Sequence, residues 1–587
     1  MRAFALLGVL IISKLVILAG RPIDHSAWVP VAYLWQDVLV VLVFALLDWL
    51  IQRDWFGWTV YSSIVAYVAI NVPVALVLST PLTWPMLGAA GAALSDSIKR
   101  HATPANLGLM SLVVGAGIAL PFLLERLLPH VDWKLTRASV VPALVLVTIG
   151  PLASSRVETI GLDRNPIIAI AWSAMPRIWW RSGVVEASED WRASPFASES
   201  RTEDLTNLRG AAHGRNVVLI LLESAGAEYL RPYGASRDPM PNLTELARES
   251  IVFDHAYGVY PESIKQLFSV LCSRYPAMET ASESYSWVTT PSLAAVLGRA
   301  GYRSALFHSG RFMYLGMYDV VANRGFETLE DAGAIGGNHE SSFGVDEPST
   351  VARALSWIDS IEPNDRFCLT YLPIAGHHPY DTPEPGPFPD QADADRYLNA
   401  LHYADAALGS LVIGLRSRGL YDKTLFVIFG DHGQAFGQHE GNYGHSLFLY
   451  DENIRVPYLI AAPGLIKEQL RVNRTISLLD TAPTILDLAG LPSPAGYQGS
   501  SALEARSKMA LFCTDYSLSL VGLRDGCWKY IYEMDSGRSK LFDLCQECSE
   551  SKDLSIFYPE RVAAYRAHLT RWGSAQKSLI ANRRSTF

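Results

Sequence analysis

Five long apolar runs crowd the first 153 residues, and few folds are open to such a chain. They are Ala3–Gly20, Val29–Ile51, Trp58–Leu78, Ala105–Leu124 and, roughly, Ala138–Ala153. A helix needs ~20 apolar residues, within ~17–25, to cross the hydrocarbon core of a bilayer. In lipid, only helices and closed barrels satisfy their own backbone. The first four runs are long enough; the fifth needs flanking residues such as Leu135. Ala3–Gly20 is not read as a signal peptide, because Lys14 interrupts it and further runs follow at once. The expectation is a five-span helical bundle over residues 1–156.

Lys14, Asp37 and Asp48 fall inside these runs. Charges there face the bundle interior and find partners. They read as structural ion pairs or as contacts to a lipid headgroup. Five spans place the termini on opposite sides. Arg2, Arg53, Arg126, Lys134 and Arg137 on one side nearly balance Arg21, Lys99, Arg100 and Arg156 on the other, so basic bias does not set the orientation. The stretch 157–209 follows. Its Pro166–Arg181 part is apolar, Trp-rich and broken by Pro176, which suits a helix lying in the membrane interface. Ala187–Arg209 is polar and reads as a linker.

The remainder has a soluble composition. All six cysteines lie in it, at 272, 368, 513, 527, 545 and 548, which suits disulfides in an oxidising compartment. Cys545 and Cys548 form a lone C-x-x-C, weak as a zinc signal. The net charge of −9 and the lack of a basic stripe exclude a nucleic-acid partner.

Asn216–Leu222 and Thr424–Phe429 are short, continuous apolar runs, the pattern of strands buried on both faces of a parallel sheet. Each runs straight into metal-ligand chemistry: Glu223 after the first, Asp431-His432 after the second. Ligands of open α/β sheets gather beyond the carboxyl ends of strands. The two segments together predict one divalent-metal site in an α/β domain over residues 210–510, with a smaller subdomain over 511–587.

Asn216–Ser224 with Met240-Pro241-Asn242, Gly430-Asp431-His432-Gly433 with His439 and His445, Ile454-Arg455-Val456-Pro457, and Asp480–Gly490 resemble the motifs of a sulfatase, in the family's order. The resemblance covers roughly Arg215 to Leu554 and implies an alkaline-phosphatase-like domain. Five spans followed by such a domain is similar to the layout of lipoteichoic acid synthases and lipid A phosphoethanolamine transferases, which work on the extracytoplasmic face of bacterial membranes. By that resemblance, the protein sits in the cytoplasmic (inner) membrane with its catalytic domain outside.

In sulfatases the nucleophile opens a C/S-x-P-x-R motif and becomes formylglycine. A following Arg-Tyr-Pro-like segment, here Arg274-Tyr275-Pro276, places it thirteen positions before its proline, at Ser263. Lys265 and Leu267 stand where that motif has proline and arginine, so Ser263 is expected to remain a serine. A formylglycine hydrate can expel sulfate by re-forming its aldehyde. A serine ester must be broken at the transferred group, which suits phosphorus. The resemblance then implies Glu223, Ser263, Asp431 and His432 as ligands of one divalent ion (Mn, Zn, Mg or Ca), His308 and His377 on the substrate's phosphate, and His445 as proton donor to the leaving group. His377 is preferred to His378 because the family pattern is His-x-Pro. Lys265 reads as a phosphate contact or a solvated helix face, and Cys272 as structural. The expected function is transfer of a phosphoryl-linked group, phosphoglycerol or phosphoethanolamine, from a phospholipid donor to an envelope glycan or glycolipid acceptor. A membrane-bound phospho- or sulfoester hydrolase is the alternative, favoured by sulfatase-like C-terminal segments such as Gly522–Tyr532 and Leu541–Leu544. A degenerate scaffold is disfavoured by the intact ligand set.

Overall fold

The computed structural model describes residues 1–23, 25–89, 101–127, 137–175, 190–196, 203–340 and 343–581. All five apolar runs are helical: α1 Arg2–Leu18, α2 Val29–Ile51, α3 Asp54–Leu78, then a short α4 Trp84–Ala89, α5 Pro104–Leu127 and α6 Arg137–Ser154. Only α2, α3 and α5 of these are both long and apolar enough to cross a membrane on length and composition. At 17 and 18 residues, α1 and α6 rise about 26 Å, slightly under the ~30 Å hydrocarbon core.

The charged residues within the helices are paired. Lys14 Nζ lies 3.6 Å from Asp37 Oδ2 and donates to the carbonyls of Leu162 and Asp163 at 3.3 and 3.0 Å. At the opposite end, Arg2 meets Asp48 and Asp54, each at 3.1 Å. A second short helix, α7 Pro166–Ala174, docks on the bundle: Asn165 donates to Asp37 at 2.7 Å, and its N–H to Gln36 at 2.8 Å. This part of the expected interfacial helix is therefore bundle structure; its continuation, 176–181, lies outside the described residues.

The rest is an α/β domain on a nine-stranded sheet. Its strands are β1 Asn216–Leu222, β2 Ser250–Tyr257, β3 Tyr302–His308, β4 Thr328–Glu330, β5 Arg366–Leu372 and β6 Thr424–Gly430. A two-stranded ribbon, β7 Ala435–Phe436 with β8 Tyr443–Gly444, intervenes before β9 Arg455–Val456, β10 Tyr458–Ala461 and β11 Leu470–Ser477. The order is β11-β2-β10-β6-β1-β5-β3-β4, with β9 beside β2; β6, β1, β5, β3 and β4 run parallel. All seven residues of β1 are buried. Val217, Leu219 and Leu221 pack into one apolar layer, Val218, Ile220 and Leu222 into the other. Each such side chain contributes roughly 1.5–3 kcal/mol.

Three helices matter for the site: α8 Ser263–Cys272, α9 Glu347–Asp359 and α10 Asp393–Ser417. The last is apolar and long enough to span a membrane, but it packs on the sheet through Leu398, Leu401, Leu408 and Leu411. A four-stranded antiparallel sheet follows, β11 being succeeded by β12 Ala510–Thr514, β13 Leu520–Asp525, β14 Trp528–Glu533 and β15 Ser539–Asp543, and a last helix, α11 Pro559–Ala581. Cys527 is bonded to Cys545 across β14 and β15, so the C-x-x-C is not a free ligand pair; Cys272, Cys368 and Cys513 are buried thiols and Cys548 an exposed one.

The stretch expected as a linker is packed where it is described. Trp191 and Arg192 are buried, and the Arg192 guanidinium forks onto Asp480, with one arm at 2.9 Å. The bundle is locked to the C-terminal four-stranded sheet and its loops by polar contacts: Thr83 to the Tyr516 carbonyl and Ser517 to Thr80, both 2.8 Å, Arg164 to Asp535 at 2.6 Å and Lys540 to Glu158 at 2.9 Å.

Candidate active site

The parallel strands deliver their chemistry at their carboxyl ends. β1 ends at Leu222 and presents Glu223; β6 ends at Gly430 and presents Asp431 and His432. One ligand atom from each of the three lies within 4.8 Å of the others, and all three residues are buried. His432 Nε2 is 3.6 Å from both Glu223 Oε1 and Asp431 Oδ2.

Ser224 sits between them with a left-handed backbone, φ 56°. Its N–H donates to Asp431 Oδ1 at 2.9 Å and its hydroxyl to Glu223 Oε1 at 3.0 Å. A non-glycine residue there costs about 1–3 kcal/mol, and such strain collects at working sites.

Ser263 is the first residue of α8. Its hydroxyl donates to Glu223 Oε2 at 2.9 Å and lies 3.3 Å from His432 Nε2. Glu262 caps the helix, accepting from the N–H groups of Ile264 and Lys265 at 3.0 and 3.3 Å. The N-terminal end of a helix favours negative charge, so an oxygen anion or a phosphoryl group is stabilised there.

His308, His377 and His445 line the same cavity as Ser263 and Glu223. Each Nδ1 faces a backbone carbonyl: His308 to Leu372 at 3.1 Å, His377 to His378 at 2.6 Å, His445 to Pro261 at 2.9 Å; His432 does the same to Gly433 at 2.9 Å. A carbonyl only accepts, so all four rings are protonated on Nδ1, and Nε2 is left to accept or to ligate. The His432 and His445 rings stack with centroids 4.0 Å apart.

Two glycines make room. A Cβ on Gly376 would stand 2.0 Å from the Glu223 carbonyl oxygen, and one on Gly310 would stand 2.4 Å from His308 Nε2.

Electrostatically, burial leaves the two carboxylates among imidazoles that carry no charge. Burial, then the neighbouring Asp431, pushes Glu223 well above the usual carboxylate range; burial also raises Asp431. Burial drives His308 down to about 4 and His432 down to about 3, and lowers His377 and His445 as well. Two buried carboxylates beside neutral imidazoles are a donor set short of a cation, which a divalent metal supplies. Glu223, Asp431 and His432 fit such an ion on these grounds, with the Ser263 oxygen beside them.

Lys265 does not join the cavity. Its ammonium pairs with Asp515 at 3.2 Å and lies 4.4 Å from the centre of the Tyr260 ring. The expected phosphate contact is replaced by an internal ion pair, because α8 turns position 265 away from the face that carries position 263. Cys272 is buried at the far end of α8, an internal thiol as expected. Sequence reasoning missed Arg311, which lines the cavity three residues after His308 and has Glu340 at 3.7 Å. It also missed Tyr314 and Phe343; the Phe343 ring lies 4.4 Å from that of His377.

A sulfatase family model matches residues 215–491, the span that holds Glu223, Ser263, His308, His377, Asp431, His432 and His445. Residues 215–491 form a sulfatase domain. Bovine (Bos taurus) arylsulfatase K is 32% identical over 187 residues, covering 28% of this chain and 34% of that protein. Lipoteichoic acid synthase 2 of Bacillus subtilis (strain 168) is 27% identical over 305 residues, covering 48% of this chain and 46% of that one. The chain thus spans about half or less of the curated relatives it matches. Among solved structures, the lipoteichoic acid synthase LtaP from Listeria monocytogenes superposes with a TM-score of 0.50 at 20% identity, covering 65% of this chain and 96% of its own. An alkaline phosphatase superfamily protein from Vibrio parahaemolyticus gives 0.53 at 18%, covering 66% and 91%. At such identities the structural likeness establishes the fold.

Proposed function

We propose that this protein is a membrane-anchored, metal-dependent transferase that moves a phosphoryl-linked headgroup, phosphoglycerol or phosphoethanolamine, from a phospholipid to an envelope glycan or glycolipid. The catalytic domain faces the outside of the cytoplasmic membrane in this reading, consistent with a disulfide that needs an oxidising compartment. One observation carries the chemistry: a serine hydroxyl at a helix N-terminus, 2.9 Å from Glu223, among four imidazoles of one tautomer.

Ser263 Oγ attacks phosphorus; its bond to phosphorus forms as the bond from phosphorus to the diacylglycerol oxygen breaks. Glu223, Asp431 and His432, with the Ser263 oxygen, would hold one divalent ion, which lowers the pKa of the hydroxyl and offsets phosphoryl charge when bound. Arg311 holds a phosphoryl oxygen, where charge accumulates, and His308 and His377 do so on taking up a proton at Nε2, which an anionic phosphoryl group beside them favours. His445, oriented by its bond to the Pro261 carbonyl, takes up on Nε2 the proton that the Ser263 hydroxyl gives up and passes it to the leaving alkoxide. In the second half an acceptor hydroxyl attacks the phosphoserine, returning the Ser263 hydroxyl.

The four-stranded C-terminal sheet and the arylsulfatase similarity favour a second reading, hydrolysis of a phospho- or sulfoester, in which water replaces the acceptor. One experiment separates them. Purified full-length protein given phospholipid alone should release diacylglycerol slowly, with a headgroup adduct on Ser263 by intact mass. Adding the envelope acceptor should speed release and leave the group on the acceptor. Rapid release of free headgroup phosphate with no acceptor effect, or fast sulfate-ester cleavage, would replace transfer by hydrolysis.

A further inference from the structure

The cavity that holds Ser263 does not end at the sulfatase domain. It encloses about 640 Å³, within the ~300–1,000 Å³ of ligand pockets. One wall carries Ser263, the imidazoles and Arg311; another is built by the bundle, from Ile70, Val74 and Val77 of α3 with Leu107 and Met110 of α5. Positions 70, 74 and 77 follow helical spacing and form one stripe. None of these five bundle side chains offers a hydrogen-bonding group.

The stripe lies in the last turns of α3 and the first turns of α5, the ends nearest the catalytic residues. Ile70 and Leu107 are 46% and 52% exposed although they also line the cavity, while Val74, Val77 and Met110 are half-buried. The cavity therefore reaches the exposed surface of the bundle at these two residues. A bundle surface facing lipid is ordinarily neutral, since lipid tails are as apolar as leucine. Here the apolar surface is continuous with a nucleophile and phosphate-binding imidazoles. A soluble phosphoester would meet only the polar end. A molecule joining a phosphodiester to an acyl chain meets both.

The geometry points to an acyl-chain slot: Ile70, Val74, Val77, Leu107 and Met110 hold a fatty-acyl chain of the donor phospholipid while its phosphodiester lies at Ser263. This rests on the phospholipid-donor reading above and assigns the bundle a part in substrate selection. The slot orients the diester for attack and turns the encounter into an intramolecular one. It also lets the diacylglycerol product return sideways into the bilayer.

The test uses full-length protein in mixed micelles, with dioleoyl phosphatidylglycerol and phosphatidylethanolamine against their dibutyryl counterparts. Val74→Trp and Met110→Trp fill the slot. Each should lower kcat/KM for dioleoyl lipid by about ten-fold or more and leave dibutyryl lipid within about two-fold of wild type. Equal losses on both lipids, or no loss on either, would overturn the slot. A second measurement needs no turnover. In Ser263→Ala protein, dioleoyl-length lipid carrying a diazirine on its acyl chain should label the 70–77 and 107–110 segments, and Val74→Trp should abolish that labelling. Labelling spread over exposed bundle residues such as Leu46 and Phe122 would overturn the proposal, as would labelling displaced by acceptor glycolipid but not by donor. Lipid captured at α3 and α5 by a protein that never transfers a headgroup would remove the transferase reading and leave the slot standing.

Discussion

The proposed chemistry turns on Ser263. Removing its oxygen by Ser263→Ala should cut headgroup release by about 10³-fold or more and abolish the adduct, as loss of a nucleophile does. Asp431→Asn should empty the metal site, read by elemental analysis of purified protein; full occupancy with full activity would end the ligand assignment. His308 sets a pH dependence of stability. Burial holds it at about 4 in the folded protein against about 6.5 unfolded, so the unfolded chain binds the extra proton. The contribution is intact above pH about 6.5 and is lost as pH falls toward about 4, by roughly 3 kcal/mol. His308→Gln should flatten that part of the dependence of the thermal midpoint on pH, measured against wild type.

At the scale of elements, strand ends and helix starts are what bring the ligands together. The approach of the Gly376 loop to the end of β1 leaves no room for a side chain, because the obstructing atom is backbone oxygen. Gly376→Ala should displace both Glu223 and His377, costing about 1–3 kcal/mol by overpacking and lowering activity with it. In the bundle, Lys14→Met strands a buried Asp37 and should destabilise by about 3–5 kcal/mol in detergent melts. Replacing Asp37 as well by leucine should recover most of that loss. If the double substitution is as damaging as the single one, the pair is not what matters at that site.

At the scale of the whole molecule, the bundle and the sulfatase domain share one cavity, and Arg164 with Asp535 and Glu158 with Lys540 pin the bundle side to the C-terminal sheet. An orientation test follows from the cysteines. Cys548 is exposed, whereas Cys527 and Cys545 are joined and the other three thiols are buried. A membrane-impermeant maleimide added to intact cells should label Cys548 alone, and labelling only after lysis would place the catalytic domain in the cytoplasm.

The sequence by itself determined what depends on neighbours along the chain. Apolar run length dictated the five bundle helices. Continuous β-branched runs followed by Glu223 and by Asp431-His432 dictated two buried strands with ligands at their ends, because a strand delivers its next residue to the edge of the sheet. The spacing from Arg274-Tyr275-Pro276 pointed to Ser263, which α8 carries beside Glu223. Tertiary structure alone decided what depends on distant segments. Lys265 lies two positions from Ser263, yet it turns to Asp515, some 250 residues away in the chain. The polar stretch around Trp191 is packed because Asp480 receives Arg192, a pairing with no local signature. The α10 helix is apolar enough to cross a membrane and is a sheet-packing helix, since hydropathy reports burial without saying whether protein or lipid provides it. The cavity belongs to the same class: Val74 and Ser263 share it only because α3, α5 and α8 converge in space.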